Sequence, residues 1–137
     1  MPRILGIDYG EKRIGLAVSD SMAIIAQPFE TLVQDRQGSW RRRLEEIIEQ
    51  QEVDTIVVGY PLTMKGGHSQ QTDRVDVFIT ALKEQTGLPV HTYDERLTSV
   101  FARRSLVAMG VRTGHNKAAV DRTAAAIMLQ DYLDSRS

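Results

Sequence analysis

The chain has no cysteine, which removes disulfide bonds and thiolate metal sites from its chemistry. No apolar run is long enough to cross a membrane as a helix. No low-complexity segment, internal repeat or linker-like stretch interrupts the 137 residues, so one domain spanning 1–137 is expected. A large excess of either charge is missing as well: the net charge is −1, which argues against a protein that coats nucleic acid by bulk charge. It leaves room for a local basic surface around an acidic site. Met1-Pro2-Arg3 runs straight into a strand-like segment without a signal-peptide cleavage pattern, so a cytoplasmic protein is expected.

What is present begins with Arg3 to Ile7, an apolar run that reads as a strand buried on both faces. It ends in Asp8 and turns over Tyr9 to Lys12, where Gly10 can supply a positive φ. Arg13 to Val18 returns as the antiparallel partner. Ile24 to Leu32 reads as a third strand broken by Pro28. Trp40, Leu44, Ile47 and Ile48 recur at helical spacing, with Ser39 as a candidate N-cap. Thr55 to Val58 is a short β-branched strand that enters the loop Gly59-Tyr60-Pro61. Val75, Phe78, Ile79 and Leu82 mark a second helix, stopped by Gly87 and Pro89. Val90 to Tyr93 is a fifth strand. Thr98 or Ser99 can cap a helix running to about Met109, and Lys117 to about Leu133 forms a long last helix. The order β-β-β-α-β-α-β-α-α predicts an α/β protein with a mixed five-stranded sheet flanked by helices.

Sites in such sheets gather at the ends of central strands. Three acidic positions stand out there. Asp8 closes the first strand, where a carboxylate is costly unless paired or bound to a metal; the plainer role is to cap the turn. Asp94 and Glu95 follow the fifth strand and alternate in direction, so only one can face the same site as Asp8. The other can cap the next helix or pair with Arg96, a common and weak surface arrangement. Asp121 shares a helix face with Lys117, Ala124, Ala125 and Met128, and the run Ala124 to Ala126 lets that helix lie close to the sheet. Its alternative role is to favour the helix dipole from the first turns. If the three segments converge, an all-oxygen ligand set suits Mg²⁺ or Mn²⁺. Two such ions, roughly 3.5–4 Å apart, support phosphodiester hydrolysis.

Four motifs occur in order: Gly6-Ile-Asp8-Tyr-Gly10-Glu-Lys-Arg-Ile-Gly15, Val58-Gly59-Tyr-Pro61-Leu, Asp94-Glu95-Arg96-Leu97-Thr98, and Asn116-Lys117 with Asp121, Ala124 and Ala125 following. Together they resemble the bacterial YqgF/RuvX family over nearly the whole chain. The resemblance implies an RNase H-like fold and a metal-dependent nuclease. The family is described both as resolving Holliday junctions and as maturing the 5′ end of pre-16S rRNA. By motif, Asp8, Glu95 and Asp121 correspond to its acidic triad, with Asp94 an alternative to Glu95. Phe101 departs from the family, which often carries Glu three residues after the position of Thr98, where it completes a capping box.

Nucleic acid is the expected partner, and Lys12, Arg13, Lys65, Arg103, Arg104, Arg112, Lys117 and Arg122 are the candidate phosphate contacts. Arg41, Arg42 and Arg43 read as a solvated helix face. His68 and His115 sit in loops and could touch phosphate, although a loop histidine more often does nothing so specific, and Tyr60 is either a base-stacking or a packing tyrosine. Resolving a junction takes two cuts, so one three-acid site per chain predicts a weak or substrate-assisted homodimer for that task. RNA processing needs only a monomer. Two other readings compete. The Asp8-Tyr9-Gly10 turn also looks like the phosphate-binding turn of actin-like ATPases, which use two such domains. The fold also occurs as a catalytically silent binding module.

Overall fold

In the computed structural model, residues 2–63, 65–97 and 117–136 are described, position 117 by its backbone alone. Strands β1 (Arg3–Tyr9), β2 (Arg13–Ser19) and β3 (Ala26–Val33) come first. Helix α1 (Ser39–Gln50), strand β4 (Val53–Tyr60), helix α2 (Gln70–Thr86) and strand β5 (Val90–Asp94) follow. A 3-10 turn (Glu95–Leu97) comes next, and α3 (Lys117–Ser135) is the last helix. The helix expected from Thr98 or Ser99 to Met109 lies outside the described residues.

The strands line up as β3-β2-β1-β4-β5. The first three form an antiparallel meander, and β4 and β5 add in parallel. This is the mixed five-stranded sheet that the element order predicts. β1 sits at its centre, and residues 4 to 8 are all buried. Alternation along β1 divides the core. Leu5 and Ile7 join Leu44 and Ile47 of α1 and Val75, Phe78, Ile79 and Leu82 of α2 on one side. Ile4, with Ala17 of β2 and Val57 of β4, packs on the other side against Ala124–Ala126, Met128, Leu129 and Leu133 of α3. Each fully buried Leu or Ile contributes roughly 1.5–3 kcal/mol.

Strands β1, β4 and β5 run a little longer than the sequence expectation, and three other differences have a visible cause. β3 starts at Ala26, because Ile24 and Ile25 belong to a turn held by Asp20, whose carboxylate accepts from both of their backbone N–H groups. Pro28 does not break the strand. The register shifts between Leu16 and Ala17, opposite Glu30 and Pro28, so a bulge accommodates the ring. The N-cap of α1 is Gly38, with φ of 69°, rather than Ser39; Asp35 instead accepts from the Gly38 N–H and the Ser39 hydroxyl. Helix α2 behaves as expected at its end, where Gly87 adopts φ of 68°. Its start is a capping box between Ser69 and Thr72.

Helix α3 is held very close to the sheet. A Cβ on Gly6 would sit 2.8 Å from Leu129 Cβ, and one on Gly15 would collide with the Asp121 carbonyl oxygen. Gln130 clamps the β2–β3 turn, donating to the Ile24 carbonyl and accepting from the Ala26 N–H, both at 2.9 Å. Thr31 donates its hydroxyl to the Ala118 carbonyl. On the opposite layer, Arg43 of α1 grips Glu30 of β3 with two bonds of 2.7 and 2.8 Å. Those bonds, more than the charge itself, hold Glu30 below the ordinary carboxylate range.

Gly15→Ala must push a helix backbone off the sheet, so it is expected to lower stability by about 1–3 kcal/mol or more, read from urea unfolding midpoints. A carboxylate with a lowered pKa stabilises the fold above its unfolded pKa and stops doing so as pH falls through its folded value. Arg43→Met should therefore lower the melting temperature at neutral pH. The difference from the parent should shrink as the pH drops through the acid range.

Candidate active site

Asp8 is the penultimate residue of β1 and only 6% exposed. It follows Ile4 and Gly6 on the face that meets α3. Both neighbouring strands present a glycine beside it. Asp8 pairs with Gly15 of β2, while Ile7 pairs with Val58 of β4, which puts Gly59 one step further along. With no side chains on either flank, other groups can approach. The Asp121 backbone lies over Gly15. The Glu95 carboxylate lies over Gly59, where a Cβ would stand 2.6 Å from its Oε1.

Glu95 reaches this place because β5 stops at Asp94. The sequence expectation carried the alternation of a strand on to Asp94 and Glu95; the chain instead folds into a 3-10 turn, and the Glu95 side chain lies over Gly59 of β4. Burial, and then the charge of Asp94, push the Glu95 carboxyl up from its ordinary value. Asp94 is engaged differently. Arg96 donates to it from Nη2 at 2.7 Å, from Nε at 3.0 and 3.1 Å, and from its backbone N–H at 2.9 Å. Hydrogen bonding by the Arg96 side chain is the largest cause that holds Asp94 below its ordinary range.

Asp121 sits one turn into α3 and is partly buried. Its Oδ2 accepts from Arg13 Nε at 2.6 Å. Arg13 opens β2, so this bond ties the hairpin that carries Asp8 to the helix that carries Asp121. The structure thus brings Asp8, Glu95, Asp121 and Arg13 to one end of one sheet face. Among the described residues, the three carboxylates do not close around one point. The group with three ligand atoms all within 4.8 Å of one another is His68, Asp73 and Asp76, on the loop before α2 and its first turns.

Lys12 and Lys65 are exposed, and Arg122 is partly buried beside Asp121. Arg103, Arg104, Arg112, His115 and Phe101 lie outside the described residues, as does the side chain of Lys117. Tyr60 packs against the α1–α2 core and donates to Asp76 Oδ1 at 2.7 Å. That bond, with burial, pushes its phenol up to about 12. It is the packing tyrosine of the two expected alternatives. Arg43 is not a solvated arginine, since it is held on Glu30. Sequence reasoning missed the Arg13–Asp121 pair, which joins positions 108 residues apart. The only sequence-level signal for it is a basic residue beside the Asp8 turn.

A family model for RuvX, described as Holliday junction resolvase, matches residues 2–135. A protein of Lachnospira eligens named "Putative pre-16S rRNA nuclease" is 41% identical over 137 residues, covering 98% of each chain. Proteins of the same name from Geobacillus kaustophilus and Chloroflexus aggregans are 41% and 42% identical. The first covers 98% of this chain and 99% of its relative, the second 97% and 94%. Among solved structures, T. thermophilus RuvC in complex with Holliday junction substrate superposes with a TM-score of 0.62 at 21% identity, covering 99% of this chain and 96% of that one. The fowlpox virus resolvase with Holliday junction DNA gives 0.59 at 14% identity, covering 98% of both chains. These two share the RNase H-like fold with the present sheet and helices, and on the sequence matches the chain belongs to the RuvX family.

Proposed function

We propose that this chain is a divalent-metal-dependent endonuclease that cleaves phosphodiester bonds of structured nucleic acid, with the 5′ end of pre-16S rRNA as its substrate and the cytoplasm as its place of work. The observation that carries this reading is the approach of Glu95 and Asp121, over Gly59 and Gly15, to the buried Asp8. The curated relatives, at about two-fifths identity over almost their full length, supply the substrate class.

The donor set fits a hard cation. All three groups offer carboxylate oxygens. Asp8 is nearly inaccessible, and burial disfavours the charged form of Glu95, so a cation at this end of the sheet would relieve both. Asp8, Glu95 and Asp121 would hold Mg²⁺ or Mn²⁺, and the proposal keeps the two-ion site expected from the sequence. The metal supplies Lewis-acid chemistry, stabilising negative charge on the phosphate and making a water more acidic. Glu95 is favoured over Asp94 because Arg96 already engages Asp94 on both oxygens.

The protein's own residues then position the strand. Arg13 spends its Nε on Asp121, and among the described residues its terminal nitrogens have no hydrogen bond, which leaves that edge of the guanidinium for a phosphate oxygen. Lys12, Lys65 and Arg122 are assigned further phosphate contacts, and the proposal extends these to Arg103, Arg104, Arg112 and Lys117. Junction resolution is the second reading, favoured by the description of the matching family. It adds a requirement: two copies must act together, as a weak or substrate-assisted dimer.

The deciding experiment incubates the protein and Mn²⁺ or Mg²⁺ with a pre-16S rRNA 5′ fragment and a four-way DNA junction side by side. Cleavage of the RNA by a monomer is expected. Paired cuts in the junction by a dimer, with the RNA left intact, would transfer the assignment to resolution. Asp8→Asn should reduce cleavage by more than about 100-fold while leaving the unfolding transition in place. No change in rate would remove Asp8 from the site. In metal-free buffer, Arg13→Ala should weaken binding to every sequence alike and make the slope of log affinity against log salt shallower by about 1. A slope equal to that of the parent would mean that Arg13 contacts only Asp121.

A further inference from the structure

On the sheet face opposite the carboxylates, a cavity of about 420 Å³ opens between the start of α1 and the middle of α2. Its walls include Tyr9, Trp40, Phe78, Val77, Arg36 and Arg41. The rings form a continuous array: Tyr9 stacks on Phe78 with centroids 4.2 Å apart, and Trp40 leans on Phe78 at 6.1 Å. Arg41 lies over the Trp40 ring, its guanidinium carbon 4.9 Å from the centroid. Trp40 remains partly exposed, and Val77 stands 71% exposed at the rim.

We propose that this cavity seats one unpaired nucleobase of the strand whose phosphate lies at Asp8. The inference rests on the nuclease reading and deepens it. Asp8 and Tyr9 are consecutive, so the end of β1 presents a carboxylate to one face and an aromatic ring to the other. A strand crossing that end meets both. The position of Tyr9 is not accidental to its own ring: its hydroxyl donates to Gln34 Oε1 at 3.3 Å, Gln34 donates to the Gly10 carbonyl, and Gln71 donates to the Tyr9 carbonyl at 2.9 Å. Tyr9 is thereby tied to the loop after β3 through its hydroxyl and to α2 through its backbone carbonyl.

The chemistry of the walls selects a base. Successive aromatic faces beside guanidinium groups are the usual platform for single-stranded nucleic acid, because every base has a π-face. The two acids of the lining are already engaged: Asp35 accepts from the α1 start, and Glu11 lies 3.8 Å from Arg74. Arg36 and Arg41 have no carboxylate partner among the described residues and are left to face a phosphate. The volume lies near the lower end of small-ligand sites, roughly 300–1,000 Å³, and suits a single nucleotide rather than a helix about 10 Å across.

Trp40 is the chain's one tryptophan, so its emission reports on the cavity directly. The test titrates full-length protein in metal-free buffer with a short oligo(dA), with an abasic strand of equal length, and with the oligo(dA) paired in a blunt duplex. Oligo(dA) should quench Trp40 with a midpoint about tenfold below that of the abasic strand, and the duplex should behave like the abasic strand. Val77→Glu, checked for an unchanged melting temperature, should raise the oligo(dA) midpoint to the abasic value. Equal midpoints for the base-bearing and abasic strands, or an unaltered midpoint in Val77→Glu, would overturn the subsite. So would a concentration-dependent dimer of the parent that Val77→Glu abolishes, since the cavity would then be a contact between copies of this chain. Cleavage in Mn²⁺ is scored separately. Cleavage with a flat Trp40 response overturns the subsite alone, whereas base-dependent quenching without cleavage of any substrate supports the subsite and overturns the nuclease reading.

Discussion

The whole acidic end of the molecule depends on a helix backbone resting directly on a strand at Gly15. Where the Asp121 carbonyl touches β2 there is no room for even a methyl group. Gly6 repeats the arrangement further down the same face against Leu129, and Ala124–Ala126 keep the helix side equally thin. Contact of this kind sets the height of α3 above the sheet to within a fraction of an ångström, because packed interiors do not deform continuously. A carboxylate on the second turn of that helix is then fixed in depth relative to Asp8. Gly59 does the same for Glu95 from the other flank.

Charge at this end is arranged by pairing rather than by exposure. Arg96 holds Asp94 and Arg13 holds Asp121, while Glu95 is raised by its burial and by Asp94. The consequence is a local asymmetry. Asp94 is kept ionised and engaged, and its charge makes ionisation of the adjacent Glu95 harder. A group in that condition has the most to gain from a nearby positive charge. The nearly neutral chain as a whole gives no hint of this, because the imbalance lies in a few residues at the strand ends.

Much of this was legible in order along the chain. Buried runs, the Asp8 turn, the Gly87 stop and the alternation of strands and helices are local signals, and they carry the sheet. The four motifs carried the family. What escaped was set by partners distant in sequence. Ser39 looked like a cap because it preceded the apolar repeat, yet Asp35 supplies the bonds and Gly38 the left-handed turn. Arg43 looked solvated because nothing on its own helix reveals Glu30 on a strand. The Arg13–Asp121 bond and the helix contact at Gly15 join residues more than a hundred positions apart, and no periodicity encodes such a meeting. The turn that carries Glu95 over Gly59 escaped because it starts only where β5 ends, at Glu95, and its partner Gly59 lies on another strand.

The bulge at Pro28 has a further consequence at the outer margin of the sheet. Among the described residues β3 is an edge strand of eight residues, and such an edge is a template on which another chain could extend the ladder. Pro28 contributes no amide hydrogen, the bulge bends the row of donors around it, and Glu30 fixes a charge on the same strand. Among the described residues no strand pairs with this edge, and these three features disfavour growth of the ladder there. Any ladder contact between two copies is therefore disfavoured at β3, which leaves side chains to carry whatever contact is made along that margin.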